Sequence, residues 1–127
     1  MKISLKNKEL ELTNIDELTT LLKNLETYEE VCISGFGSTS MIILLNNNYA
    51  FLSYFRYDGD HGFISINSLK RSESYQEFKL GNGQIDKYPN NILVDRQIGI
   101  EAIKYYFETE HMNPEIDWIS QSNWTVI

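Results

Sequence analysis

Cysteine, proline, basic charge and long apolar runs are all scarce in this chain, and the scarcities narrow what it can be. Cys32 is the only cysteine among 127 residues. An internal disulfide and a cysteine-based zinc site are therefore both excluded, and in the run VCIS this residue reads as a small hydrophobe of a strand. The longest uninterrupted apolar run, Met41 to Leu45, falls far short of the roughly 20 residues of a membrane-spanning helix. The opening MKISLKNK lacks the apolar core of a secretion signal, so the expected compartment is the cytoplasm. Lys and Arg number 11 against 18 Asp and Glu, a net charge of −7. Phosphate recognition needs a basic face, so this balance argues against a direct nucleic-acid partner and for a basic protein partner.

What is present describes one folded domain spanning residues 1–127. A content of 42% hydrophobic and 13% aromatic residues is too rich for disorder, and the length suits a single core. The acidic charge is uneven. Glu9 to Glu30 holds seven acidic residues against Lys23 alone, the stretch Val31 to Lys104 carries seven of each sign, and beyond Lys104 only Glu108, Glu110, Glu115 and Asp117 are charged. Two readings follow, solvated acidic faces or a surface that steers a cationic partner.

Ile3 and Leu5, then Leu10 and Leu12, alternate with polar residues about Lys6 to Lys8, as a strand or short hairpin does. From Asn14 the period changes: Ile15, Leu18, Leu21, Leu22 and Leu25 share one helical face, and Asn14 with Glu17 resembles a capping box. Val31 to Ser34, Met41 to Leu45 and Tyr49 to Tyr57 read as neighbouring antiparallel strands, separated by GFGST and NNN turns. The third is apolar on both faces, with Phe51 and Phe55 on one side and Ala50, Leu52 and Tyr54 on the other, which predicts a central position. Phe63 to Ile66 forms a short partner strand, the polar connection LKRSES follows, and YQEFKL reads as an outer strand. Gly81-Asn82-Gly83 turns that strand into Gln84 to Tyr88, until Pro89 interrupts the ladder. Val94 to about Thr109 has helical spacing, Pro114 cannot continue it, and EIDWISQSNWTVI offers short β-like pieces carrying both tryptophans. The expected fold is α+β: a single antiparallel sheet of about five to six strands with two amphipathic helices packed on it, in the order β-α-β-β-β-β-β-α-β.

The segment YDGDHGF, Tyr57 to Phe63, concentrates Asp58, Asp60 and His61 among glycines. As a calcium loop counted from Asp58 it places Gly62 at the fifth position and Leu69 at the twelfth, neither a suitable ligand, and no helix enters it. His111, the second histidine, has no obvious partner spacing for a transition-metal site. A catalytic carboxylate pair needs burial to perturb a pKa, whereas a glycine-rich turn leaves both aspartates exposed. A hairpin turn built on Asp-Gly is the favoured reading. GNG precedes a β-like run and lacks the residues of a phosphate loop. Tyr49, Tyr54, Tyr57, Tyr75 and Tyr88 lack the basic groove of a single-strand platform, so their exposed members suit a protein interface.

FLSYFRYDGDHGFISI, then FKLGNGQIDKYPNNILV, then IEAIKYYFETEHMNPEIDWI together resemble the first-numbered immunity-protein family of bacterial polymorphic toxin and contact-dependent inhibition systems. The resemblance rests on the strand with its glycine turn, on Asn82, Gly83, Gln84, Asp86, Tyr88 and Pro89, on the closing helix, and on Pro114, Ile116 and Trp118. It covers about residues 50 to 119. Similar members often carry a glycine just after the last helix, where this chain has Glu110-His111-Met112-Asn113 and Asn113 is the expected substitute cap. The resemblance implies a small cytoplasmic protein that binds and neutralises a cognate toxin domain, often a nucleic-acid deaminase or nuclease, without being an enzyme and without a cofactor or metal. Tyr57, Asp58, Asp60, His61, Asp86 and Tyr88, from the two hairpins, are the candidate toxin-binding residues. Two other classes stay open from the residues alone: an adaptor or ligand-binding module, and a small hydrolase or transferase using exposed carboxylates.

Overall fold

Asn14 starts the first helix by the mechanism its side chain suggests. In the computed structural model, which describes residues 1–5, 8–67 and 74–123, Asn14 is extended and its Oδ1 accepts the Glu17 N–H at 3.0 Å. The Glu17 carboxylate returns to the N–H and hydroxyl of Thr13, one residue earlier than in a standard box. Helix α1 runs Ile15–Lys23 and buries Leu18 and Leu22.

Before it, the N-terminal alternation resolves into a hairpin of β1 (Lys2–Leu5) and β2 (Lys8–Glu11). After it come β3 (Glu29–Ser34), β4 (Ser40–Leu45) and β5 (Tyr49–Phe55), then β6 (Phe63–Ile66), the β7 (Tyr75–Lys79) and β8 (Ile85–Pro89) hairpin, and a two-residue β9 (Val94–Asp95). Helix α2 (Arg96–Thr109) and β10 (Asp117–Ser120) complete the chain. The connection expected at LKRSES lies largely outside the described residues, as does the second tryptophan, Trp124.

The α+β class is as expected, with more strands than the hydrophobic pattern alone counts. Among the described residues eight strands form one sheet along the path β10-β6-β5-β4-β3-β1-β2, with β9 beside β5, and every pairing there is antiparallel. Alternation assigns the faces. Val31, Ile33, Met41, Ile43, Leu45, Ala50, Leu52 and Tyr54 lie under the helices, together with Leu18, Ala102, Ile103 and Tyr106. On α2 the buried row is Gly99, Ala102, Ile103 and Tyr106, while Ile98 is turned outward. Gly99 sits so near β5 that a Cβ there would fall 2.4 Å from the Ala50 Cβ.

The β7–β8 hairpin is not an outer strand pair of this sheet but a separate two-stranded layer across its other face. Phe78, wholly buried, packs there with Leu44, Ile64, Ile92 and Leu93. The Tyr88 ring lies 4.6 Å from Phe51 and 5.9 Å from Phe78. Asn46 Nδ2 donates to the Glu77 carbonyl at 3.1 Å and the Gly81 N–H donates to Glu30 at 2.9 Å, which ties the hairpin across the sheet. The sheet thus has apolar cover on both faces, which explains why β5 is apolar on both.

Helix α2 ends differently from the sequence expectation. Glu110 takes the left-handed conformation, φ 58°, and its N–H reaches the Tyr106 carbonyl at 2.7 Å. Asn113 organises the following turn instead, with Oδ1 accepting the Glu115 N–H at 2.9 Å and its carbonyl accepting the Trp118 indole N–H at 3.0 Å. Among the described residues no helix is long and apolar enough to cross a membrane.

Candidate partner-binding surface

Two hairpin tips meet at one end of the sheet. The register pairs Ser34 with Ser40 and Ser40 with Phe55, so the β3–β4 tip, Gly35 to Thr39, lies beside the β5–β6 connection. The Ser38 hydroxyl donates to the Arg56 carbonyl at 2.9 Å and joins them. A third segment closes in, the Gln121 N–H donating to the Gly62 carbonyl at 2.9 Å.

Tyr106 fixes the first tip from below. Its ring is buried in the core, and its hydroxyl accepts the Gly35 N–H at 3.0 Å, donates to the Thr39 carbonyl at 2.9 Å, and meets the Thr39 hydroxyl at 2.9 Å. That uses one proton and both lone pairs of the phenol. Burial pushes its pKa up, against the opposing effect of the Thr39 and Gly35 bonds. Glu110 adds a second tie, its Oε1 accepting the Gly37 N–H at 3.3 Å, while its carbonyl accepts the Tyr54 hydroxyl at 3.1 Å. A Cβ on Gly35 would fall 1.7 Å from that Oε1, so only glycine lets the carboxylate lie against the tip. The consequence is an anchored loop that presents Phe36 at 83% exposure.

The second tip is YDGDHGF, and its two aspartates are not alike. The Asp60 N–H donates to the Tyr57 carbonyl at 3.1 Å, and Gly59 at φ 85° and Gly62 at φ 80° supply the turns. Asp58 is exposed, as expected. Asp60 is not: its side chain is 2% exposed and holds Arg56 through Nε at 2.9 Å, Nη2 at 3.0 Å and the main-chain N–H at 3.0 Å. The Arg56 bonds, side chain first and main chain second, hold the Asp60 carboxyl well below the usual carboxylate range against a weaker opposing effect of burial. The guanidinium lies over the Tyr57 and Phe63 rings, 5.5 and 5.1 Å from their centroids. The uniformly exposed acidic tip is thereby corrected to a loop closed on an ion pair whose Asp60 side is buried and whose Arg56 side chain is 54% exposed, with Tyr57, Asp58 and His61 exposed around it.

Asp86 and Tyr88 lie elsewhere. Their hairpin is tied to Glu30 and Asn46, toward the end of the sheet where Glu29 pairs with Leu45. Tyr88 is half-buried against Phe51 and Phe78 and donates to Asp86 at 3.2 Å, and Asp86 also accepts from Gln84 at 2.7 Å. Both side chains hold their own hairpin. The six candidates therefore fall into two separate groups.

Sequence reasoning missed Phe36, whose only signal is one large apolar side chain inside a run of turn residues. Cys32 is half-buried on the face away from the helices, and burial followed by the nearby Glu30 pushes its thiol pKa up, as suits an unreactive thiol. Among the described residues no three His, Cys, Asp or Glu side chains gather closely enough to hold a metal ion. The molecule is thus defined as a two-faced antiparallel sheet protein carrying an anchored aromatic and acidic surface at one end. No protein-family model and no curated protein matches the chain.

Proposed function

We propose that this chain is an immunity protein: it binds and neutralises a cognate basic toxin domain, a nucleic-acid deaminase or nuclease, in the cytoplasm of the producing cell, with no enzymatic step and no cofactor. The observation that carries the reading is the pair of anchored tips with Phe36 and Tyr57 exposed beside Asp58. Aromatic side chains on preorganised backbone are what binding hot spots are made of, since little freedom is lost on association. An acidic surround on a chain of net charge −7 speeds encounter with a domain that is basic around its nucleic-acid groove. Inhibition by covering that groove needs only tight binding. The resemblance noted above points the same way, and it includes the strand and turn that bear Tyr57 and Asp58.

Co-expression with a candidate cognate toxin domain tests the reading. Growth rescue and a stable purified complex are expected. Phe36→Ala is expected to weaken the complex by about 2 kcal/mol or more, and Asp58→Lys to slow association more than it speeds dissociation, with both variants melting as the parent does. Rescue without a complex, or full affinity in both variants, rules out this surface.

A further inference from the structure

Among the described residues the sheet ends at β2, which pairs there with β1 alone, and all four residues of β2, Lys8 to Glu11, are exposed. Main-chain bonding fixes what this edge offers. Met1 and Leu12 exchange both bonds, the Leu12 N–H donating to the Met1 carbonyl at 2.7 Å and the Met1 amino group to the Leu12 carbonyl at 3.1 Å. Antiparallel ladders alternate such pairs with non-bonded ones. With Leu10 opposite Ile3 and Lys8 opposite Leu5, those two residues bond β1. The N–H and C=O groups of Glu9 and Glu11 therefore point to the open side.

Beside that edge, on the helix face, a groove of about 650 Å3 runs between β2 and α1. Leu10, Leu12 and Leu21 line it together with polar residues that include Glu11, Asp16 and Glu17, and Leu10 is 41% exposed. Open main-chain groups next to a groove that offers leucine side chains are the two requirements for capture of an extended peptide by strand addition.

The charges select the occupant. A second copy of this chain adding to β2 by two-fold symmetry must pair residues whose main-chain groups both face outward. Centred on Leu10, that register sets Glu9 against the Glu11 of the other copy; slid by two residues either way, it sets Glu9 against Glu9 or Glu11 against Glu11. Like charges directly opposite destabilise a ladder, so this edge is coded against itself. A strand with a basic residue at each of these positions meets the opposite condition. The existing partners of the two carboxylates, Lys2 on Glu9 and the Met1 amino group on Glu11, are both at 3.4 Å, with both glutamates at least 60% exposed. Such pairs are weak and screened, and leave room for a second cation.

We infer that β2 is a docking edge for an extended segment of another protein with a basic, apolar, basic alternation. Its two basic side chains lie opposite Glu9 and Glu11 on one face, and its central apolar side chain enters the groove at Leu10 on the other. The Glu11 end of the edge lies in the same row as Ser34, with Lys2 of β1 between them, so the edge flanks the Phe36 tip from the side, and the inference stands whether or not the partner at that tip is a toxin.

The probe is a short blocked peptide of alternating lysine and valine, titrated into the isotopically labelled full chain and followed by amide chemical shifts. Shifts confined to β2 and the adjoining face of α1 are expected. Methylating the peptide amides that face β2, or regrouping the same residues as a lysine block and a valine block, is expected to weaken binding by about tenfold, roughly the loss of one or two net main-chain hydrogen bonds. Glu9→Lys with Glu11→Lys is expected to reject the lysine peptide and accept a glutamate and valine one, with a modestly lowered melting temperature because Lys2 then faces a like charge. No binding at millimolar peptide, equal affinity for the methylated peptide, or shifts centred elsewhere overturns the inference.

Discussion

Asp60 is one carboxylate with three hydrogen bonds to a single residue, Arg56, and that predicts a pH signature. Its folded pKa lies well below the unfolded value of about 3.9. The folded state therefore binds fewer protons in acid, and the loop's contribution to stability is complete above about pH 4 and lost as pH falls from there through the folded pKa. Asp60→Asn is expected to lower the urea midpoint at neutral pH and to flatten the decline below pH 4, so that parent and variant converge in acid. A constant gap between the two curves contradicts the charge-based account. Tyr106 makes the complementary case without titration. Tyr106→Phe keeps the ring in the core but takes the Thr39 hydroxyl's partner and the shorter of the two bonds of the Gly35 N–H, whose other acceptor is the Thr39 carbonyl at 3.5 Å, at a cost of about 1–3 kcal/mol. Urea denaturation reads that loss, and affinity for a partner bound at the Phe36 surface is expected to fall with it because Phe36 loses its anchorage.

At the level of elements, α2 approaches β5 so closely at Gly99 that there is no room for a side chain. Alanine at Gly99 improves helix propensity by about 1 kcal/mol, yet its Cβ would meet Ala50 at 2.4 Å, and such overpacking costs about 1–3 kcal/mol. Gly99→Ala is expected to destabilise, and Ala50→Gly in the same molecule to recover most of the loss; a four-member cycle of urea midpoints that proves additive removes the contact as the cause. The end of α2 separates stability from binding. Glu110 holds a left-handed backbone that costs an L-residue about 1–2 kcal/mol, so Glu110→Gly is expected to leave the melting temperature unchanged or raised while freeing the Gly37 N–H and weakening partner binding. Elements whose cause is local were legible in the sequence. Asn14 with Glu17, the alternation of β3 to β5, and the glycine turns at Gly59, Gly62 and Gly83 each declare themselves within a few residues. What was not legible depends on partners far along the chain. Phe36 is displayed because Tyr106 and Glu110 hold its neighbours, Glu110 accepts its strained backbone in the same contact, and nothing inside YDGDHGF says that Asp60 turns inward to an arginine preceding the segment.

Over the whole molecule the sheet separates two unequal cores, and alternation alone did not reveal the second. Period-two patterning in YQEFKL states that Phe78 faces something apolar, and is silent on whether that is a neighbour in the same sheet or a layer across it. Among the described residues the helix side gathers eighteen buried side chains and the hairpin side five, Phe78 being in the smaller group. Small cores lose the most when one large member goes, because few neighbours remain to relax into the space. Phe78→Ala is expected to cost about 3–5 kcal/mol, and the loss should be distributed unevenly. Amides of β7 and β8, held by one hairpin ladder and the ties to Asn46 and Glu30, are expected to exchange by local opening, while β3, β4 and β5, paired on both sides and covered by the helices, exchange only on global unfolding. Native-state hydrogen exchange distinguishes the alternatives: equal acceleration across both sets makes the molecule one cooperative unit, and preferential loss at β7 and β8 makes the hairpin a separable layer. Since Phe36 and Tyr57 belong to the sheet and not to the hairpin, the second outcome also predicts that Phe78→Ala keeps partner binding at a temperature where the parent and the variant are both folded.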